Sequence, residues 1–430
     1  MGDEQEMSQT ASVNPIPLSR RRGLFYPAFA WSGFTSAFAS IIVGHRLQLG
    51  LGTPDALFAV VLGSWLLFVY SAAIGFAAGR WGLNSQLTLE AVFGRTGAIL
   101  PGLLLAFLVT GWYAFHVVLT TSLLSEMATS HVSPGLWIGL VGIVFALPVV
   151  LGYSHGFNLT AVAFPAMVVF VTIVLLTDIL PKWPILLDGP LDGTLSFGTG
   201  VCIAFGTFVV SGTMTGDIVR YCRTGNEAIQ ATVIGFLLSN FPFLVCGVLI
   251  GAVGLEPASF FTSYHPLSIV LLLLVLIAHW TTCDACLANA SVTLKRAFPG
   301  LSWALLSSAA AVIGIAIAIS DQVADVFNWV MFLVVVVPPI GGVILADYYV
   351  LRANGGFSRA RSGHFNYAAL LATAIAIATT FIAWRALPDI VSPLIGAPLA
   401  AITYLLLASI APAMLGAGIG VERYGAEAID

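Results

Sequence analysis

The chain has 430 residues, of which 59% are hydrophobic and only 8% are charged. A soluble globular domain carries about a quarter charged residues, so this composition excludes a soluble enzyme and a nucleic-acid-binding module and points to repeated passage through a bilayer. The formal net charge of -4 decides little, because charges in such a chain are sorted by side of the membrane.

Residues 1–23 are polar, end in Arg20-Arg21-Arg22 and read as a cytoplasmic N-terminal tail that anchors the first helix. Twelve apolar stretches follow, at 24–44, 55–79, 98–123, 135–153, 158–180, 196–218, 228–252, 266–292, 301–319, 325–345, 366–386 and 394–416. Each is near the length that crosses hydrocarbon as a helix, and the in/out alternation of a β-barrel is absent. The expected fold class is therefore an all-α polytopic membrane protein. With the N-terminus inside, only Arg46, Lys182 and Arg385 of the 16 Lys and Arg fall outside. That bias puts both termini, including the tail at 417–430, in the cytoplasm and the chain in the cytoplasmic (inner) membrane.

The first span (Ala30 to Ser36) and the sixth (Gly206 to Gly212) share an interior rich in small and hydroxyl residues. They lie five spans apart, and a repeat of an odd number of helices must be inverted. Paired interrupted segments in inverted halves point to a transporter's binding site. The chain then divides into a first repeat at 24–180, an inverted second repeat at 194–352 and two further spans within 366–416. The sixth span is the one most expected to break, within Gly206 to Asp217, because unpaired backbone in a bilayer is tolerated only where it is buried or lines a cavity.

Polar residues inside the other spans are the remaining candidates. Trp112 and His116 lie one turn apart on the third span, where His116 either bonds a polar ligand or is satisfied by a backbone carbonyl. The eighth span carries His279, Thr281, Thr282, Cys283 and Asp284. Adjacent hydroxyls with backbone carbonyls suit a hard cation such as Na⁺; the alternative is Thr bonding back onto its own helix. Asp284 is a costly intramembrane carboxylate, either functional through its charge or proton, or bonded to its Thr neighbours. Pro338-Pro339 and Gly341-Gly342 predict a kink in the tenth span, for gating or as a static feature. Cys283 and Cys286 form a C-x-x-C spacing without a thioredoxin-like context, so they read as two small apolar residues one turn apart.

Three stretches resemble bacterial cytosine permeases and the wider nucleobase–cation symporter (purine/cytosine permease) family: Ser211 to Tyr221, Trp280 to Asp284, and Pro338 to Tyr349. The resemblance covers nearly the whole chain. It implies a five-plus-five inverted repeat of the LeuT type with two C-terminal helices, and import of a nucleobase such as cytosine by cation symport with alternating access. It also implies a sandwich of the flat ring between Trp112 and Phe208, with Phe34, Gly206, Thr207 and Cys283 around it; His116, from its place on the Trp112 face, is a further substrate-binding candidate. The implied coupling ion is Na⁺, or H⁺, and Na⁺ would be held by carbonyls of Ala30, Gly33 and Ala278 and hydroxyls of Thr281 and Thr282. No other cofactor or metal is implied. The amides that the resemblance leads one to expect at Val109, Ala278 and Cys283 are absent, which leaves open a neighbouring heterocycle such as a hydroxymethylpyrimidine, allantoin or a hydantoin.

Two other classes compete. An intramembrane enzyme would need catalytic partners for His116, His279 and Asp284, and no catalytic motif provides them, so the chain reads as no enzyme. A passive channel would show rings of pore-lining charge, which Asp284 alone does not make. The expected partners are a small heterocycle and the lipid bilayer, with no nucleic acid and no obligate protein.

Overall fold

A computed structural model describes residues 14–127, 133–152, 156–185, 191–261, 267–320, 325–352, 359–360, 364–387, 389–415 and 422–423. The 1–23 tail is described only from residue 14, and of the 417–430 tail only 422–423 is described. The described residues are almost entirely helical. Eight helices are long and apolar enough to cross a membrane, and a bent pair makes a ninth. Shorter apolar helices hold the three remaining expected places, at Pro134–Val150, Phe197–Gly206 and Trp303–Ile319.

In chain order, α1 (Phe25–Thr35) and α2 (Phe38–Leu51) form the bent pair, meeting at 53°. Hydroxyls close the end of α1: Thr35 Oγ1 lies 2.9 Å from the Trp31 carbonyl, and Ser36 Oγ donates to the Ser32 carbonyl. Such bonding back onto the helix competes with its continuation. Gly52, at φ 80, then allows α2 to turn into α3 (Thr53–Trp81) within one residue. A short helix, α4 (Ser85–Phe93), follows at the bundle's end, capped by the Asn84 side chain on the Leu87 N–H. The first half is completed by α5 (Ile99–Met127), α6 (Pro134–Val150) and α7 (Gly156–Val174).

The sixth span is interrupted, as expected. It comprises α8 (Phe197–Gly206), α9 (Val209–Thr213) and α10 (Gly216–Val219), with non-helical backbone at Phe208 (φ -132, ψ 20) and Met214. The seventh runs from α11 (Gly225–Val233) through a π turn to α12 (Phe241–Ala252). Then come α13 (Ser268–Ala297), α14 (Trp303–Ile319), α15 (Val326–Val336), α16 (Pro338–Ala346), α17 (Tyr367–Ala386) and α18 (Pro393–Ile410). The predicted interruption at Pro338-Pro339 is the junction of α15 and α16. A two-residue antiparallel pairing, Arg359–Ala360 with Glu422–Arg423, is the sole β-structure among the described residues.

Packing reveals the repeat. Within the bundle α2 packs on α12, and α3 packs on α8. A shift of five spans turns one contact into the other. The α5–α13 and α6–α14 contacts map onto themselves under the same shift, and α1–α7 maps onto α8–α15. Small residues make the first pair intimate. A Cβ on Gly44 would collide with the Leu244 carbonyl oxygen, and one on Gly247 would collide with the Ile41 carbonyl oxygen. In the related pair, a Cβ on Gly63 would come 2.6 Å from the Ala204 Cβ. Such small residues let membrane helices approach to van der Waals contact between backbones.

The end of the bundle carrying the N-terminal tail is bonded together through α4. Ser85 donates from both its N–H and its hydroxyl to Asp217, at 2.9 and 2.8–2.9 Å. Glu90 pairs with Arg296, the second contact being 2.7 Å. Arg352 donates to the Ala91 carbonyl and pairs with Asp347 at 2.7 Å. Asn366 donates to the Val92 carbonyl at 2.7 Å. The buried Arg21 joins the tail to the same end, donating to the carbonyls of Ile16 (3.1 Å), Gly79 (2.9 Å) and Arg80 (3.1 Å), with those of Cys222 and Arg223 at 3.4 Å. Glu90 thus ties α4 to the last turn of α13 through Arg296.

Candidate functional site

A cavity sits where the two interrupted spans face each other. Six residues singled out from the sequence line it: Phe34, Trp112, His116, Thr207, Phe208 and Thr282. Ser40, Ser211 and Cys286 add polar or polarisable atoms, and Ala37, Ala39 and Val43 complete the wall. The breaks account for this convergence. Phe34 lies in the last turn of α1, and Ala37 lies in the hinge between α1 and α2. Thr207 and Phe208 are the residues between α8 and α9.

The aromatic faces are held by neighbours. Phe34 meets Phe208 edge-on at 5.7 Å and lies beside Trp31 at 5.9 Å. Trp112 contacts Phe115 edge-on at 5.8 Å. Edge-on and offset contacts are favourable ring geometries, so these rings are braced before any ligand arrives.

His116 does not find the backbone carbonyl considered from the sequence. Among the described residues its Nδ1 has no hydrogen-bond partner. Its ring lies 5.0 Å from that of His279, edge-on. His279 is fully buried, and its Nδ1 is 2.7 Å from Thr120 Oγ1. His279 therefore supports the wall from behind and does not line it.

Several expected positions fall elsewhere. Gly206 does not line the cavity; a Cβ there would collide with Val330, so its smallness serves the close approach of α8 to α15. Cys283 points away, with its Sγ 3.9 Å from the Tyr113 carbonyl, and Cys286 takes the cavity place. The helical repeat explains this: Thr282 and Cys286 are four apart on one face, whereas Cys283 belongs to the next. Val109 is buried and also off the cavity, so none of the three positions lacking amides faces the cavity. Asp284 is fully buried on α13 and does not line it either.

For the cation residues, α1, which carries Ala30 and Gly33, packs against α13, which carries Ala278, Thr281 and Thr282. Gly33 is in the last turn of α1, where carbonyls lack partners within the helix. The Thr281 and Thr282 hydroxyls both donate to the Ala278 carbonyl, at 2.8 and 3.0 Å. They bond back onto their own helix, one of the two readings open from the sequence. Their oxygen lone pairs remain uncommitted by these bonds, whereas the Ala278 carbonyl already accepts two hydroxyls. Only Thr282 of this set reaches the cavity.

Residues 15–407 match the family described as permease for cytosine/purines, uracil, thiamine, allantoin. The chain is 28% identical over 404 residues to the cytosine permease of Escherichia coli (strain K12), which covers 92% of this chain and 93% of that protein. Among solved structures, it is similar to Mhp1, a nucleobase-cation-symport-1 family transporter in a closed conformation with bromovinylhydantoin bound. That match has a TM-score of 0.79 at 21% identity, covering 97% of this chain and 98% of the other. A Na⁺-coupled sialic acid symporter in a substrate-bound outward-open state matches with a TM-score of 0.65 at 13% identity, covering 95% of each. Those structures share the LeuT-type fold that the helix pairing displays. The chain therefore belongs to the family of permeases for cytosine/purines, uracil, thiamine and allantoin, and is a secondary transporter for nucleobase-type substrates rather than an enzyme.

Proposed function

We propose that this protein imports a flat nucleobase, cytosine or a related pyrimidine or purine, by Na⁺ symport with alternating access across the cytoplasmic membrane. The observation that carries this reading is one cavity, at the meeting of both broken spans, walled by Phe34, Trp112 and Phe208. Ring faces offer affinity to any heteroaromatic plane, and polar groups at the edge choose among such planes. His116, Thr207 and Ser211 are the edge groups, and Thr282 with Thr281 and the Gly33 carbonyl stands on the cation side. The halves 24–180 and 194–352 are the moving repeats, with both termini cytoplasmic.

A second reading is favoured by the histidines. His116 on the cavity wall, with His279 behind it, suits a different heterocycle, of the hydroxymethylpyrimidine, allantoin or hydantoin type, and proton coupling. One experiment separates the two. Thermal stability of the detergent-purified protein is measured with nucleobases and these heterocycles, with and without Na⁺. A ligand that binds only the folded state raises apparent stability by mass action. A nucleobase shift that grows with Na⁺ is expected. A shift by another ring, independent of Na⁺, supports the second reading, and no shift from any ring in a well-folded sample sinks both.

A further inference from the structure

The span Gly225–Ala252 passes through a π turn at Ile234–Asn240. Pro242 accounts for its place. It has no N–H to give the carbonyl four residues back, and its ring crowds that carbonyl, so the helix widens just before it. The turn presents one group at each end to the broken spans. At its start the Gly235 carbonyl lies 2.7 Å from Thr35 Oγ1, the last residue of α1. A Cβ on Gly235 would come 2.7 Å from the Trp31 Cβ, so only glycine brings this carbonyl so near.

At its end stands Asn240, fully buried. Ser40 Oγ donates to Asn240 Oδ1 at 2.7 Å. Asn240 Nδ2 donates to Thr207 Oγ1 at 3.3 Å, and Thr207 Oγ1 donates to the Ala204 carbonyl at 2.8 Å. Ser40 and Thr207 both line the cavity; Asn240 does not. Asn240 thus ties the second half of the first span to the break of the sixth.

The direction of this chain has a chemical consequence. A hydroxyl owns one hydrogen and two acceptor lone pairs. Ser40 spends its hydrogen on Asn240, and Thr207 spends its hydrogen on Ala204. What both hydroxyls turn to the cavity is lone pairs. We propose that Ser40 and Thr207 form an acceptor edge of the substrate site, oriented by Asn240 as a positioning residue, and that this edge selects rings presenting N–H donors. The inference rests on the ring site proposed above and adds which side of the ring is read. A ring N–H or exocyclic amine meets the lone pairs; a carbonyl or an N-methyl at that place leaves buried acceptors unsatisfied.

The test compares binding of cytosine, uracil and their ring-N-methylated forms to the purified full chain in detergent. Methylating the recognised N–H is expected to weaken wild-type binding roughly tenfold. In Asn240→Leu the Ser40 hydroxyl loses its acceptor and is free to turn its hydrogen to the cavity, while Thr207 stays held by the Ala204 carbonyl, and the preference for N–H over N-methyl is expected to shrink to about threefold or less. The steric cost of the methyl persists in both proteins, so the difference reports the donor. Asn240→Asp, as a buried neutral acid, accepts from Ser40 and donates to Thr207, and is expected to restore the preference; a purely structural role for Asn240 predicts no such pattern. If Asn240→Leu does not fold, Ser40→Ala removes one acceptor and is expected to lower the preference. Equal wild-type binding of parent and methylated rings, or an undiminished preference in Asn240→Leu or Ser40→Ala, overturns the acceptor edge and leaves the ring site standing. Failure of every ring to bind folded wild-type protein overturns the ring site and the edge together.

Discussion

Trp112 and Phe208 are each 7% exposed, and what remains accessible of them lines the cavity. Base–aromatic stacking contributes about 1–3 kcal/mol per ring by alanine substitution. Trp112→Ala and Phe208→Ala are therefore each expected to weaken ring binding by about tenfold or more, and the double variant to abolish uptake. Wild-type uptake by a purified, correctly inserted double variant would count against the sandwich. At this scale the sequence was partly readable. Trp112 and His116 stood out because they share a face in the middle of an apolar span. Cys283 enters the expected site through the resemblance, and spacing alone does not say which face of α13 turns inward; Thr282, one turn from Cys286, carries that information only once the packing on α5 is known. Asn240 is absent from the expected site although it is an amide in the middle of an apolar span, two residues before Pro242. Intramembrane polarity beside a helix breaker was the available signal.

Among elements, α4 changes the account most. Nine residues are too few to cross a membrane, and α4 lies between the expected spans at 55–79 and 98–123. Its legible signs were local: Asn84 as N-cap, and Gly94, at φ 85, past its end. The Glu90–Arg296 pair gives its attachment to α13 a test. Its side chains are 10% and 25% exposed, so removing one partner leaves a poorly solvated charge. Glu90→Gln and Arg296→Gln are each expected to cost about 2 kcal/mol of stability, with the double variant costing less than the two together. A strictly additive cycle in thermal unfolding would deny the coupling. The first span shows the opposite error of reading. It was expected to end at 44, yet α2 continues to Leu51. Polar side chains within that stretch are accommodated: His45 faces Glu256 at 3.7 Å, and Arg46 is exposed. Hydropathy sees only the polarity, not the partner that offsets it.

For the molecule as a whole, the sorting of Lys and Arg was the firmest information in the chain. Arg21, Arg296 and Arg352, assigned to one side by that sorting, do gather at one end of the bundle. Burial lowers the pKa of the Arg21 guanidinium, while its donors reach carbonyls of the tail, the end of α3 and the segment after α10. Burial also pushes the neighbouring Cys222 thiol up to about 12, which leaves it a poor nucleophile at neutral pH. Arg21→Met removes all of these donors and strands the carbonyls. A loss of about 3 kcal/mol is expected, read as a lowered unfolding temperature, whereas an unchanged temperature would make the contacts incidental. The repeat was legible because its two interrupted spans are chemically alike; its pairing of α2 with α12 and α3 with α8 was not, since that depends on which glycines meet backbone across space.

That last contact fixes more than a fold. Where Gly44 and Gly247 bring carbonyl oxygens against bare Cα atoms, α2 and α12 touch backbone to backbone, with no side chain at that crossing to change rotamer and let them slide. Spectroscopic labels placed on α2 and α12 should then report one unvarying separation whether the carrier is empty, loaded or reoriented. The seam supplies an internal ruler, a fixed origin from which the travel of every other helix can be measured.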